Sequence, residues 1–278
     1  MLEVLGFEFF KNALLAGVLA SIACGIIGTY VVVRRMVSVS GGISHAAFGG
    51  VGLGYYLGID PLLGATVFTV ATALGMGALE VRGRQQMDTI IGAVWAAGMA
   101  LGILFVYLTP GFAPDLFSYL FGNILLVPRG DILLMGVLVA IIVGIVGLFY
   151  LEFQAVTFDP DYARVMNLPV ERFSLLLLVL VALTVVMLIR VVGIILVIAL
   201  LTIPAAISRI YTGRLWSMML LAVVLGALFT VIGIGLSYVL NVPSGATIIL
   251  VSTAAYAVAL GIRGGRSVRL WRYTQNGG

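Results

Sequence analysis

The one histidine of the chain, His45, stands in the run Ser38-Val39-Ser40-Gly41-Gly42-Ile43-Ser44-His45-Ala46-Ala47-Phe48-Gly49-Gly50-Val51-Gly52, inside a long apolar stretch. An imidazole is a common metal ligand, and an ionisable side chain held inside lipid costs enough that it usually marks function. On a helix Ser38, Gly41, His45, Gly49 and Gly52 fall along one side, so a nearly bare face carries one coordinating group. A packed histidine bonded to a neighbouring carbonyl is the structural alternative. Catalysis has little to work with. Ser44 and His45 point about 100° apart on a helix and cannot pair as nucleophile and base. There is no His-Glu-x-x-His pattern, and the single lysine, Lys11, follows Phe10, so no Walker A loop exists to cradle phosphates. The one cysteine, Cys24, excludes a disulfide framework and a cysteine-rich metal site. Asp60, Asp88, Asp115, Asp131, Asp159 and Asp161 all fall at predicted span ends or loops, whereas an ion-coupled carrier keeps carboxylates near the midplane.

A second group of residues could carry contact rather than chemistry. Between Glu152 and Arg172, Asp159 is a good N-cap, Pro160 suits the first helical position, and Asp161 follows at the positive end of the helix dipole. Asn167 and Pro169 close the segment after about two turns. Tyr162, Val165 and Met166 share one side of this short helix while Asp161 and Arg164 point elsewhere, the layout of a small docking element. The alternative is an amphipathic helix lying on lipid.

The elements that must position these residues are membrane spans. Of 278 residues 62% are hydrophobic and 9% charged, and the mean hydropathy is +1.22. Apolar runs of about 20 residues recur along the chain, the length at which a helix crosses a hydrocarbon core of about 30 Å. The 35 glycines are nearly twice the usual share of about 7% and suit helices packed backbone to backbone in lipid. The sequence predicts an all-α polytopic bundle of about nine transmembrane helices, with eight to ten compatible with the pattern. They run Phe10–Val33, Val37–Leu57, Leu62–Val81, Thr89–Leu108, Ile132–Leu151, Phe173–Ile189, Val191–Tyr211, Leu215–Leu240 and Ser244–Ile262. The glycine-rich second span and the loop-less junction near Arg190 are the places where a re-entrant segment would fit. With the C-terminus cytoplasmic and the N-terminus outside, inner segments hold Arg34, Arg35, Arg82, Arg84, Arg164, Arg172, Arg209, Arg214, Arg263, Arg266, Arg269 and Arg272, against Lys11, Arg129 and Arg190 outside. That is a strong positive-inside bias. Glu3 and Glu8 stand where a secretory signal would carry positive charge, so none is expected. The chain thus divides into one transmembrane domain over residues 1–278, a cytoplasmic loop with a short helix over 152–172, and a basic cytoplasmic tail over 263–278, suited to an anionic leaflet.

Seven blocks, in order from Val31 to Ala259, carry a resemblance. They are Gly42-Ile-Ser-His45-Ala-Ala-Phe-Gly-Gly-Val-Gly52, Gly58-Ile-Asp60-Pro61-Leu-Leu-Gly-Ala, Asp88-Thr-Ile-Ile-Gly92, Tyr119-Leu-Phe-Gly-Asn-Ile-Leu125, Asp159-Pro-Asp-Tyr-Ala-Arg-Val165, Leu201-Thr-Ile-Pro-Ala-Ala206 and Pro243-Ser-Gly-Ala-Thr247. Together they resemble the permease subunit of ATP-binding-cassette importers for zinc, manganese and ferrous iron. The resemblance implies a homodimer in the cytoplasmic membrane, two separate cassette ATPase subunits on the inner face and an extracytoplasmic metal-binding protein. It implies no permanently bound cofactor, with Zn²⁺ or Mn²⁺, or else Fe²⁺, as the transported ion. No nucleic-acid partner is expected. His45, Ser44, Ser40 and Gly41 would line the pathway, Gly49 and Gly52 would pack its face, and Asp159, Pro160, Asp161, Tyr162, Arg164 and Val165 would form the contact to the ATPase. One position departs from the family pattern: many members have an aspartate four residues before the histidine, where this chain has Gly41. A lone imidazole is a poor site for Zn²⁺ or Mn²⁺. Further ligands would come from Ser40, Ser44, water or the second copy, or the pathway simply lets the ion pass. The competing expectations are a secondary transporter or channel without ATPase partners, and a cassette permease for metal chelates or cobalamin-like cofactors.

Overall fold

The computed structural model describes residues 8–80, 87–110, 119, 122 and 124–275. The Arg82–Arg84 loop, Asp115, and the side chains of Arg190, Arg266, Arg269 and Arg272 lie outside the described residues. The described chain is helical: α1 (Glu8–Val33), α2 (Val37–Leu57), α3 (Pro61–Glu80), α4 (Met87–Leu108), α5 (Arg129–Leu148), α6 (Tyr150–Phe158), α7 (Pro160–Val165), α8 (Val170–Val192), α9 (Ile194–Tyr211), α10 (Leu215–Leu240) and α11 (Ser244–Gln275). A 3₁₀ turn at Ile124–Leu126 precedes α5. Helices satisfy their backbone groups within the segment, which hydrocarbon demands. Side-chain hydroxyls follow the same rule: Ser21, Thr29, Thr184, Ser208 and Thr230 each donate to the carbonyl four residues earlier at 2.7–2.8 Å.

Among the described residues eight helices are long and apolar enough to cross a membrane, namely α1, α3, α4, α5, α8, α9, α10 and the Ser244–Arg263 part of α11. The remaining predicted span is α2, an unbroken 21-residue helix with no re-entrant turn. Its glycines, serines and histidine dilute its hydropathy, and every residue from Ser40 to Gly52 is buried. It is a helix shielded by other helices rather than by lipid. Two groups form around it and beside it. Helix α2 packs on α3 and α4, with α8 behind α3, while α1 packs on α9 and α10, and α11 closes against α9 and α10.

The predicted span ends shift at two places. The apolar run read as Ile132–Leu151 divides at Phe149 into α5 and α6, so the 152–172 segment holds the end of a second helix before α7. The junction placed near Arg190 lies at Gly193, whose φ of +78° is open to glycine but strained for other residues. The helix α8 therefore continues through Arg190 to Val192. In its backbone α11 runs on through the basic tail to Gln275.

Candidate functional site

The α2–α4 seam is what places the histidine. A Cβ at Gly49 would lie 2.8 Å from the Gly98 carbonyl oxygen and one at Gly98 would lie 2.6 Å from Ala46 Cα; likewise one at Gly52 would meet the Gly102 backbone and one at Gly102 would meet Phe48. Side chains at these positions would force the helices apart, so glycine lets the two backbones touch and fixes their register. On the neighbouring side Gly50 and Gly54 accept α3, with a Cβ at Gly50 only 2.6 Å from the Gly64 carbonyl oxygen. Gly49 and Gly52 thus pack on α4 of the same chain.

In that register His45 stacks on Trp95 of α4, ring centroids 4.1 Å apart and planes 12° from parallel. His45 is 8% exposed and Trp95 40%. Imidazole Nδ1 is buried with no hydrogen-bond partner, which removes the structural alternative of a carbonyl-bonded packed histidine for that nitrogen. Gly41 lies one turn before His45, and a Cβ there would be 3.7 Å from Trp95 Cζ3, an ordinary contact. The indole therefore spreads over both Gly41 and His45. Ser44 Oγ donates to the Ser40 carbonyl and Ser40 Oγ to the Val37 carbonyl, each at 2.8 Å. Both hydroxyl protons are spent, while the oxygen lone pairs remain available to a cation. Among the described residues no three His, Cys, Asp or Glu side chains gather as a metal cluster.

The second predicted site is also built as a unit. The Asp159 carboxylate accepts the Tyr162 backbone N–H at 2.9 Å, capping α7, with Pro160 at the first helical position. Asn167, with φ +59°, ends it, and the Leu168 N–H returns to the Ala163 carbonyl at 3.0 Å. Ala163 is buried against Val156 and Val170 and anchors the turn. Arg164 reaches Asp161 at 2.9 Å and Glu171 at 3.2 Å, drawing the charges aside. The opposite face is bare and apolar: Tyr162, Val165 and Met166 are 57%, 79% and 58% exposed. Beside it a cavity of about 430 Å³ is bordered by Arg34, Arg35, Ser38, Asp88, Thr157 and Pro160, so the α1–α2 turn and the start of α7 share one end of the bundle. Arg209 joins that end by donating to the Val32 carbonyl at 3.0 Å. At the N-terminal end of α1 Glu8 pairs with Arg129, and Asn12 donates to the Val127 carbonyl.

Trp95 and the Gly98-x-x-x-Gly102 seam were not singled out from the sequence. The glycine spacing was a usable signal for close helix approach, but nothing in it named α2 as the partner. A model of the ABC 3 transport family matches residues 6–263.

The chain belongs to the ABC 3 transport family. An uncharacterized membrane protein of Synechocystis is 49% identical over 263 residues, covering 95% of this chain and 94% of that protein. The manganese transport system membrane protein MntC of Listeria monocytogenes is 37% identical over 253 residues, with 91% and 90% covered. The solved structure of PsaBC from Streptococcus pneumoniae in complex with Fab superposes with a TM-score of 0.82 at 33% identity, over 91% of each chain. Family membership bears out the resemblance carried by the seven blocks, that of a permease subunit of an ATP-binding-cassette importer for metal ions. With its eight apolar helices, the chain is a multi-pass membrane protein.

Proposed function

We propose that two copies of this chain form the translocation pathway for a divalent transition metal ion, driven by two separate cassette ATPase subunits and loaded by an extracytoplasmic metal-binding protein. The observation that carries this reading is the buried, unpartnered Nδ1 of His45 on the small-residue face of α2, in a permease of this family. Manganese is the first candidate, because relatives named for manganese transport, such as MntC, align over most of the chain; zinc and ferrous iron follow. The C-terminus and α7 face the cytoplasm, in keeping with the arginine asymmetry. Nucleotide chemistry belongs to the ATPase subunits, since this chain has no phosphate-binding loop, and α7 is the contact through which their motion enters.

Uptake of Mn²⁺, Zn²⁺ and Fe²⁺ by cells expressing the chain with its cassette ATPase and binding protein tests the reading. ATP-dependent uptake of one or more of these ions is expected. His45→Ala should reduce it on the order of 10-fold or more, since a metal ligand matters no less than the outer partners whose loss costs about 10–100-fold. Uptake that persists without the ATPase, or only of a chelated metal, overturns it.

A further inference from the structure

Metal-binding histidines are normally oriented by a hydrogen bond on the ring nitrogen that does not face the metal, which fixes both the tautomer and the ring plane. The Nδ1 of His45 is buried without a hydrogen-bond partner, so no bond at that nitrogen orients this ring. Its imidazole is nonetheless held, by its face: the Trp95 indole lies 4.1 Å away and nearly parallel. The one coordinating lone pair of a neutral imidazole, on its unprotonated nitrogen, lies in the ring plane and points out from its edge. A stack therefore fixes the plane without occupying either nitrogen. An indole carries no acceptor, so it cannot take the ring N–H and leaves the choice of tautomer open.

The position of the indole is itself set by backbone. The Gly49–Gly98 and Gly52–Gly102 approaches lock α4 against α2 in one register, and Trp95 precedes Gly98 by about one turn, opposite His45. Gly41, with no side chain, leaves room for the ring over the preceding turn of α2, and a Cβ there would already touch Cζ3. The same absence removes a carboxylate that could orient the imidazole. The stack stands in for it.

We infer that Trp95 is the positioning residue of His45: its indole face holds the imidazole plane and so aims the unprotonated ring nitrogen at the transported ion. The inference rests on the metal-pathway reading of His45. Trp95 is not itself a ligand; it acts through the ring it holds.

Two measurements test it separately from that reading. In the complete transporter, Trp95→Ala should raise the half-saturating metal concentration for uptake by about 10-fold or more, the usual cost of losing a group that orients a ligand. Trp95→Phe, which keeps an aromatic face, should stay near wild type. In the full chain carrying Trp216→Phe and Trp271→Phe, Trp95 is the one remaining tryptophan. Titration with Mn²⁺ or Co²⁺ should change its emission saturably, and His45→Phe, which keeps the stack but removes the nitrogens, should abolish the change. Unchanged half-saturation in Trp95→Ala overturns the inference. So does Trp95 emission that ignores a metal the wild-type transporter carries. Where Trp95→Ala fails to assemble, the Phe variant and the emission titration still decide. Absence of uptake by the wild type counts against the metal-pathway reading instead.

Discussion

The residue-scale question is what Gly41 does to His45. The side chain missing at 41 leaves the imidazole without a carboxylate on its own helical face, and the indole of Trp95 fills the space above. A Cβ at 41 makes only an ordinary contact, so Gly41→Asp fits at its first atom. Its carboxylate would be buried and unpaired without metal, which is destabilising. In the proposed pathway it would add charge beside His45, and affinity follows ligand charge. Gly41→Asp is therefore expected to lower the thermal midpoint in metal-free buffer, to recover it on adding Mn²⁺ through linkage, and to tighten metal binding on the order of 10-fold. A midpoint that stays low at every metal concentration would mean that this face packs without ever meeting the ion. His45 was legible in the sequence because an imidazole in an apolar run is costly on its own account. Trp95 was not, because one aromatic among apolar residues says nothing of what lies across from it, and its partner is 50 positions away.

At the scale of elements, the helices were legible and their joints were not. Apolar length and internal hydrogen bonding dictate α1, α3, α4, α10 and the membrane part of α11 with ends near those predicted. Hydropathy runs unbroken through Phe149 and past Arg190, so it carried no sign of the division between α5 and α6 or of the turn at Gly193. Capping residues are local and chemical, which is why α7 could be read residue by residue. The seam glycines of α2 give the sharpest test of packing. A side chain at Gly50 would meet the Gly64 carbonyl oxygen and Ala65 Cα, both backbone atoms that cannot rotate away. Gly50→Leu should cost at least the usual about 1–3 kcal/mol of overpacking. Gly144 on α5 is exposed, and a Cβ there has nothing within 4 Å, so Gly144→Leu should be nearly neutral. Thermal unfolding of the two variants in lipid nanodiscs reads the contrast, and equal midpoints would show that the α2–α3 contact yields.

Across the whole molecule, the proposed transporter needs energy to enter at one end and act at His45. The end that holds Arg34, Arg35 and Arg209 also holds α7, whose apolar face of Tyr162, Val165 and Met166 has no cover within the described chain. In the proposed orientation those arginines lie on the cytoplasmic side, in keeping with the positive-inside rule, where an ATPase subunit would sit. From α7 the chain continues directly into α8, which packs on α3 and α2, so a push on α7 reaches the histidine helix through helices already in contact. Rigidity of α7 is then essential, and Asp159 supplies it by capping the Tyr162 N–H. Asp159→Ala should cost about 0.5–2 kcal/mol of helix stability. Tyr162→Ala should remove exposed docking surface with little effect on folding. Both are expected to reduce metal uptake and permease-stimulated ATP hydrolysis together, while equilibrium metal binding by the permease stays at the wild-type level. Cysteines introduced at Tyr162 or Val165 should crosslink to the ATPase subunit. If they never do, while cysteines in the 209–214 segment do, the drive enters through the α9–α10 end of the bundle and α7 is a lipid-surface helix.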